Sequence, residues 1–215
     1  TDVAGNVGGA ASLTVSLDTT APGAPVVQSV SSSTNGINAQ EAAAGIDVIV
    51  TLSGTNAVAG DSVELLLGGA TFSKPIRHTL TAQDIAAGQV TLAIAQNAGW
   101  GQDGTKILTA KLTDIAGNIS QSSQSLQVNL DTTPPSPAFV QTVADNDVIN
   151  ASERTAGVWV SGTKDADTTV TLNGHSVTAD TTTWTYFLDQ TTISGFGEGG
   201  EALQIVAEDL AGNRT

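Results

Sequence analysis

Five acidic residues of this chain belong to two short strings that recur along it. Asp-x-Ala-Gly-Asn occurs at residues 2–6, 114–118 and 209–213. Leu-Asp-Thr-Thr occurs at residues 17–20 and 130–133. Asp2 and Asp114 are 112 residues apart, and Asp18 and Asp131 are 113 residues apart. Because two unrelated strings share one period, the sequence indicates a tandem array of small domains and not one large enzyme domain.

Carboxylates at such repeats could do one kind of chemistry, the binding of a hard divalent cation. Ca²⁺ accepts about six to eight oxygen ligands in flexible geometry, so it suits carboxylates from loops better than Mg²⁺ does. The chain has no cysteine and only two histidines, which argues against a zinc cluster. We therefore expect Ca²⁺ as the cofactor, with these candidate ligands: Asp18, Glu41, Asp103, Asp114, Asp131, Glu153, Asp165, Asp167 and Asp209.

The same residues have a plainer interpretation. Asp and Asn recur in β-turns because their side chains bond nearby backbone groups, and Gly adopts positive φ there. Under this alternative, Asp-x-Ala-Gly-Asn is only a good hairpin turn, and Asp-Thr-Thr-Pro is only a stiff linker. The spacing of the acids matches no EF-hand loop. The sequence leaves both interpretations open.

The strings lie between short segments of alternating apolar residues, such as Val90, Leu92 and Ile94. Alternation of this kind is typical of strands with one buried face. In unit one, residues 18–130, seven strands are predicted, at 26–30, 46–52, 62–67, 76–80, 89–94, 106–113 and 126–130. One helical turn is predicted at 83–87. The pattern predicts an all-β fold of tandem immunoglobulin-like β-sandwich domains, joined end to end by short proline-containing linkers.

Unit two, residues 131–215, repeats the plan in a shorter form. Its predicted strands, with a tight Asn-Gly turn after the second of them, are 158–163, 169–172, 183–188 and 203–207. It shows no seventh strand, whereas residues 10–17 match a seventh strand without a domain before them. We assign residues 1–17 to the last strand of a preceding repeat. An unpaired strand edge invites pairing with another chain, so strand exchange between copies is a further expectation.

The connections of such a sandwich determine which loops meet. Asp114 is expected near Asp18, because the Asp-x-Ala-Gly-Asn turn lies beside the preceding linker. The string Asn-Ala-x-Glu, at residues 38–41 and 150–153, follows the first strand and lies at the opposite end of its unit. The sequence thus predicts one acidic junction between the units. Unit one contributes Glu41 and Asp103, the linker contributes Asp131, and unit two contributes Asp165, Asp167 and Asp209.

Composition argues against several classes of function. The 215 residues include 21 acidic and 7 basic side chains, and the resulting net charge of −14 would repel nucleic acid and anionic membranes. No apolar run approaches the roughly 18 residues of a membrane span. His78 and His175 lack an accompanying nucleophile motif and are expected at the surface, so we expect no enzyme. Because Thr1 falls inside a repeat, we expect an interior piece of a longer protein.

Three tryptophans are the remaining candidates for ligand binding. Trp159 and Trp184 lie in strand-like runs and are expected to pack inside unit two. Trp100 lies in a Gly-rich loop, where we expect it to pack at the end of unit one against the next unit. It is also the residue on which a ligand-binding function would be tested.

Taken together, Asn-Ala-x-Glu, Ser-Gly-Thr, Asp-x-Ala-Gly-Asn-x-Ser and Leu-Asp-Thr-Thr-x-Pro resemble the bacterial Ig-like repeats that form the extender regions of giant secreted adhesins. Such repeats occur in RTX-type biofilm and ice-binding adhesins and in the giant non-fimbrial adhesin of Salmonella. The resemblance implies a cell-surface filament secreted by a type I system and stiffened by Ca²⁺ at its domain junctions. The acidic junction positions that it implies are Asp18, Glu41, Asp114, Asp131, Glu153 and Asp209.

The chain departs from a strict repeat in two places, one of which is that unit two is shorter between its third and sixth strands. Unit one has Ser33-Thr34-Asn35 where unit two has Asp145-Asn146-Asp147. The sequence-based hypothesis is an extracellular spacer, whose partners are neighbouring repeats of the same chain. The alternative is a module that itself binds a glycan or another surface ligand.

Overall fold

Buried apolar side chains form two separate clusters in the computed structural model, which describes residues 1, 3–9, 11–32, 35–96 and 98–215. Asp2, Ala10 and the pair Ser33-Thr34 lie outside these residues. One cluster extends from Val27 to Leu130 and the other from Val158 to Ala207, so each unit has its own core. Among the described helices, none has the length and apolar character needed to cross a membrane.

Unit one is a sandwich of two antiparallel sheets. Its strands are β1 (Val26–Val30), β2 (Ile46–Thr51), β3 (Ser62–Leu67), β4 (Ala70–Thr79), β5 (Gln89–Ile94), β6 (Gly104–Thr113) and β7 (Leu126–Leu130). One sheet has the order β1-β2-β5 and the other β4-β3-β6-β7. All seven predicted strands are confirmed, and β4 begins earlier than predicted. Buried Phe72 anchors this polar early part of β4, and the pairing with β3 shifts register between Leu65 and Leu66.

Unit two repeats the two sheets with shorter strands. These are β8 (Ala138–Phe139), β9 (Val158–Thr163), β10 (Thr169–Leu172), β11 (His175–Ser176), β12 (Thr178–Ala179), β13 (Thr183–Leu188) and β14 (Ile205–Glu208). The sheet orders are β12-β13-β9-β8 and β11-β10-β14. Asn173 and Gly174, with φ of 47° and 79°, make the predicted tight turn between β10 and β11.

In the part of the chain that the structure describes, four short helices lie between the strands, and the sequence analysis predicted only the second. They are α1 (Ala39–Ala44), α2 (Ala82–Ala87), α3 (Ala151–Ala156) and α4 (Gln190–Ser194), with a 3₁₀ turn at Val143–Asp145. The Asn-Ala-x-Glu strings begin α1 and α3. In both, the Asn side chain accepts from the backbone N–H of the Glu, whose carboxylate accepts from the Asn backbone N–H. This reciprocal pair is a capping box.

The tryptophans lie partly where they were predicted. Trp184 is 1% exposed and donates from Nε1 to Thr163 O, as an interior residue should. Trp159, expected inside, is 61% exposed. Its neighbours Val158 and Val160 face the core, so the two-residue period of the strand turns Trp159 outward, where its ring packs 5.0 Å from that of Phe187. Trp100 packs edge-to-face on Phe72 within the core of unit one, not against unit two.

Residues 11–17 form no strand. Their apolar side chains remain exposed: 88% for Leu13, 79% for Val15 and 89% for Leu17. A strand needs an edge to pair with, and in the described residues no sheet includes this segment. The predicted strand is therefore not formed here, and its assignment to a preceding repeat stays a prediction.

The two tryptophans of unit two allow a matched test of this packing. Trp184→Ala should lower the free energy of unfolding of unit two by about 3–5 kcal/mol, because it leaves a large cavity in a small core. Trp159→Ala should cost about 1 kcal/mol, because it loses mainly one exposed aromatic pair. Urea unfolding followed by circular dichroism measures both losses. Equal losses would contradict the outward placement of Trp159.

Candidate functional site at the junction of the two units

The third Asp-x-Ala-Gly-Asn string forms a closed loop after β14. The Oδ1 and Oδ2 atoms of Asp209 accept from the backbone N–H and the Nδ2 of Asn213, at 2.9 and 2.8 Å. The backbone N–H of Asp209 donates to the carbonyl of Asn213 at 3.1 Å. Gly212 has φ of +93°, which a residue with a side chain adopts only with strain. The string is thus a turn closed by its own first and last residues.

The copy in unit one has the same geometry. The carboxylate of Asp114 accepts from the backbone N–H and the Nδ2 of Asn118, at 2.7 and 2.8 Å. Gly117 has φ of +95°. The plainer reading of the string, as a turn in which Asp and Asn satisfy each other, therefore describes both copies.

The side chain of Asn213 also crosses from unit two to the linker and to unit one. Its Nδ2 donates to the carbonyl of Asp131 at 2.9 Å, and its Oδ1 accepts from the backbone N–H of Ala39 at 2.9 Å. Beside it, the Nδ2 of Asn38 donates to the carbonyl of Ala211 at 3.0 Å. Asn213 is only 6% exposed and Ala211 3%. Both units and the linker thus meet at one buried amide.

The start of α1 explains why a donor is available at Ala39. The first N–H groups of a helix have no acceptor within the helix. The side chain of Asn38 satisfies the N–H of Glu41 at 2.8 Å, whereas the N–H of Ala39 points to Asn213. The capping box therefore satisfies the N–H of Glu41 within α1 and leaves the N–H of Ala39 to donate to the neighbouring unit.

Short hydrogen bonds fasten the linker to unit one. The backbone N–H of Asp131 donates to Ile37 O at 2.9 Å. The carboxylate of Asp103 accepts from the backbone N–H and hydroxyl of Thr132, at 2.9 and 2.8 Å, and from the hydroxyl of Thr133 at 2.7 Å. On the side of unit two, the carboxylate of Asp165 accepts from the backbone N–H of Ser136 at 2.7 Å. The linker is held at both of its ends.

These donors change the pKa of two carboxyl groups. For Asp103, burial acts to raise the pKa, but the hydrogen bonds from Thr133 and Thr132 and the charge of Lys106 outweigh it and hold the pKa below its usual value. For Asp114, the hydrogen bond from the Asn118 side chain is the main cause of a lowered pKa, and burial opposes it. Both groups are stabilised as anions mostly by neutral donors.

A second, incomplete version of the junction lies at the start of unit one. The Nδ2 of Asn118 donates to the carbonyl of Asp18 at 3.2 Å, as that of Asn213 does to Asp131. The backbone N–H of Thr20 donates to the carboxylate of Asp18 at 3.0 Å, as that of Thr133 does to Asp131 at 3.2 Å. The repeated strings thus carry a repeated geometry.

The nine predicted metal ligands occupy different local positions and do not surround one common centre in the described residues. Glu41 and Glu153 cap helices, Asp114 and Asp209 close loops, and Asp103 and Asp165 hold the linker. Asp18 and Asp131 accept from threonine N–H groups, and Asp167 is exposed in the turn before β10. Within the described residues, no group of three or more Asp, Glu, His or Cys side chains could hold a metal ion. No single Ca²⁺ centre is therefore formed by the described carboxylates, and the nine candidate ligands stay a prediction.

The sequence analysis missed the two asparagines that bind across the junction, Asn38 and Asn213. The signal for Asn38 was present, because Asn followed three residues later by Glu matches the N-terminal signature of a helix. The two histidines make local contacts within their own units. His78 bonds the Asp84 carboxylate at 2.9 Å, and His175 is exposed beside the ring of Tyr186.

Neither a protein-family model nor a curated protein matches this sequence. Among solved structures, the chain is similar to a Ca²⁺-stabilized adhesin that helps an Antarctic bacterium reach out and bind ice, with 28% identity and a TM-score of 0.50 over 92% of this chain and 48% of that one. It is also similar to a 1.5-MDa bacterial ice-binding adhesin, with 24% identity and a TM-score of 0.45 over 90% of this chain and 62% of that one.

A bacterial immunoglobulin-like domain from the M. primoryensis ice-binding adhesin matches 52% of this chain over its whole length, with 24% identity and a TM-score of 0.35. The chain spans less than two thirds of the first two structures, at 48% and 62%. The predicted resemblance to bacterial adhesins is confirmed, and the antiparallel sheets of both units confirm the predicted all-β sandwich fold. All three structures are described as adhesins or as a domain of one.

Asn213→Ala should loosen the junction. It leaves the N–H of Ala39 and the carbonyl of Asp131 without their partner, at a cost of about 1–3 kcal/mol. Asn118→Ala is the control, because it removes the same loop bonds without a bond to a helix of the other unit. Residual dipolar couplings should show a wider spread of orientations between the units for Asn213→Ala alone. An unchanged orientation would contradict the role of this amide.

The contribution of Asp103 should depend on pH. Its pKa is lowered from 3.8 in the folded chain, so its stabilisation is complete above pH 3.8 and is lost as the pH falls further, through the folded pKa. The melting temperature should therefore exceed that of Asp103→Asn at neutral pH, and the difference should shrink below pH 3.8. Asp47→Asn, on the exposed face of β2, controls for the loss of one charge. A constant difference would disprove the assignment.

Proposed function

We propose that this chain is a spacer segment of a large bacterial cell-surface adhesin, in which hydrogen-bonded junctions keep successive β-sandwiches in a set orientation. The observation that carries the proposal is the buried side chain of Asn213, which joins unit two, the linker and unit one. The resemblance to an adhesin that helps a bacterium reach out supports the assignment to this class.

The linker supports the same function. Pro134, Pro135 and Pro137 fix φ at three of the residues between the units, which reduces the conformations that the connection can adopt. Asp103 and Asp165 then bind the linker from opposite sides. A spacer needs this combination, because a bend at every junction would shorten its reach.

The charge of the chain is consistent with an extracellular filament. A net charge of −14 disfavours non-specific contacts between copies of the chain. The alternative function, direct ligand binding through Trp100, loses its basis because that side chain is buried in the core of unit one.

Calcium has a lesser part in this proposal than the sequence suggested. A similar adhesin is described as Ca²⁺-stabilized, which keeps Ca²⁺ binding a hypothesis for this chain. The carboxylates at the junction already accept hydrogen bonds from N–H and O–H groups. We therefore propose that protein donors hold the junction and that any bound Ca²⁺ adds stability to it.

Small-angle scattering and thermal melting of the chain in Ca²⁺, Mg²⁺ and chelator test both parts. The maximum dimension of the chain should be that of two sandwiches placed end to end and should be equal in all three conditions, because the hydrogen bonds of Asn213 need no ion. A melting temperature raised by Ca²⁺ alone would indicate Ca²⁺ binding to the folded chain, worth about 2.7 kcal/mol at a hundredfold excess over Kd. A maximum dimension that falls in chelator would show that an ion holds the junction and would overturn the proposal.

A further inference from the structure

The outward face of one sheet of unit two carries two aromatic side chains next to each other. Trp159 of β9 and Phe187 of β13 are register partners, so their side chains lie on the same face of the sheet. Trp159 is 61% exposed and Phe187 is 41% exposed. Their ring centroids are 5.0 Å apart, and the ring planes are inclined by 47°. The two rings form one bent apolar surface that faces solvent, called the aromatic patch below.

The fold itself does not require aromatic residues at these positions. In unit one, Asp47 lies two residues after the C-cap of α1, as Trp159 lies two residues after the C-cap of α3. The register partner of Asp47 is Ala93, where unit two has Phe187. Asp47 and Ala93 are both exposed, although unit one is followed by unit two. The junction between two units therefore does not cover this part of the sheet, and the aromatic pair is an addition of unit two.

The backbone at the end of α3 holds Phe187 in place. Gly157 is the C-cap of α3 and has φ of +79°. A Cβ atom at this position would collide with the ring of Phe187, so the ring packs directly against the glycine backbone. Its other contact is the ring of Trp159. The aromatic patch is thus ordered before a ligand arrives, which reduces the entropy cost of binding.

Neutral polar side chains lie beside the aromatic patch. On the same face, the next positions along β9 and β13 are Ser161 and Thr185, which are also register partners. The Ser161 hydroxyl accepts from Gln141 Nε2 at 2.9 Å and keeps its own hydrogen to donate. Successive positions on one face of a strand are about 7 Å apart. A small molecule that lies on Trp159 is therefore within reach of both hydroxyl groups.

We propose that the aromatic patch binds a pyranose ring of a neutral glycan. A pyranose with equatorial hydroxyl groups has apolar C–H groups on its faces and hydroxyl groups around its edge. Trp159 and Phe187 match the apolar face, and Ser161 and Thr185 match the polar edge. None of these four side chains is charged, and the exposed Asp189 follows two residues after Phe187. With the net charge of −14, this acid disfavours an anionic sugar.

The size of the patch favours a sugar over a second protein. A buried aromatic side chain covers about 150–250 Å², so the exposed parts of Trp159 and Phe187 amount to roughly 200 Å². A stable protein–protein interface covers about 800 Å² on each partner. An area this small suits one or two sugar rings, and the expected Kd is on the order of 1 mM. The site adds to the proposed spacer function and does not depend on the junction.

Nuclear magnetic resonance of the three indole groups tests the site directly. Cellotetraose, a neutral chain of β-linked glucose, should shift the indole N–H signal of Trp159. The signals of Trp100 and Trp184 should stay in place, because these side chains are only 8% and 1% exposed. No shift of the Trp159 signal at about 10 mM cellotetraose, tenfold above the expected Kd, would overturn the proposal. Equal shifts of all three signals would also overturn it.

Matched variants separate binding from folding. Trp159→Ala should weaken the binding of cellotetraose about tenfold or more, and Trp159→Phe should restore part of the affinity because it keeps an aromatic face. Ile107→Ala is the control for an exposed apolar side chain, because Ile107 is 42% exposed in unit one. Circular dichroism verifies that each variant is folded. An affinity that is unchanged in Trp159→Ala would contradict the assignment.

The charge of the sugar provides a second test. Tetragalacturonate has the same number of rings as cellotetraose but carries a carboxylate on each, so it should leave the Trp159 signal in place. Ser161→Ala with Thr185→Val should weaken cellotetraose binding several-fold while the aromatic rings remain. Equal binding of the charged and neutral sugars would be incompatible with the proposed chemistry.

Contact between copies of the chain is the competing use of an exposed aromatic pair. Spectra recorded over a series of protein concentrations without sugar should show a constant Trp159 signal. A Trp159 signal that moves with protein concentration alone would assign the patch to self-association and would rule out the glycan site.

Discussion

The junction depends on a match between one side-chain amide and three backbone or carboxylate partners. Asn213 has two N–H donors and one carbonyl acceptor, and the junction supplies the Asp131 carbonyl, the Asp209 carboxylate and the Ala39 N–H. A buried polar group that lacks a partner is costly, so all three must be in place together. A carboxylate of the same shape would have no hydrogen to donate. The recurrence of Asn at the end of the string therefore follows from hydrogen-bond chemistry.

The other elements of the junction position these partners. The positive φ of Gly212 lets the loop turn back so that Asn213 reaches Asp209. The capping box of α1 leaves the Ala39 N–H directed at unit two. Asp103 fixes the threonines that follow Asp131. The acids of the junction thus act as acceptors for N–H and O–H groups.

The two units show what a completed sheet changes. Unit one has β7 on its edge, a full-length β6 and a fully buried Ile37. Unit two has a shorter β14, a half-buried Ile149 and an open cavity. The flanking loop Asp-x-Ala-Gly-Asn is nevertheless the same in both units. The loop geometry is therefore set locally, whereas the burial of side chains beside the sheet edge depends on the strand that pairs there.

The sequence by itself determined the strands of unit one and the tight turn of unit two, because both depend on near neighbours. Alternation at Val90, Leu92 and Ile94 required a half-buried strand, and Asn173-Gly174 required a hairpin turn. The outward direction of Trp159 also follows from its neighbours, because Val158 and Val160 on either side of it face the core. The capping boxes were also readable, because Asn and Glu are only three residues apart.

Only the tertiary structure decided what the acids and amides bind. Asn213 and Ala39 are 174 residues apart in the chain, and nothing local to either predicts their hydrogen bond. Carboxylates at the same end of a domain can bind a common cation, or each can accept from its own N–H or O–H donor. The sequence pattern is the same in both cases and does not distinguish them. The choice rests on where backbone N–H groups point after the units have packed, because each carboxylate accepts from the nearest donor that packing supplies.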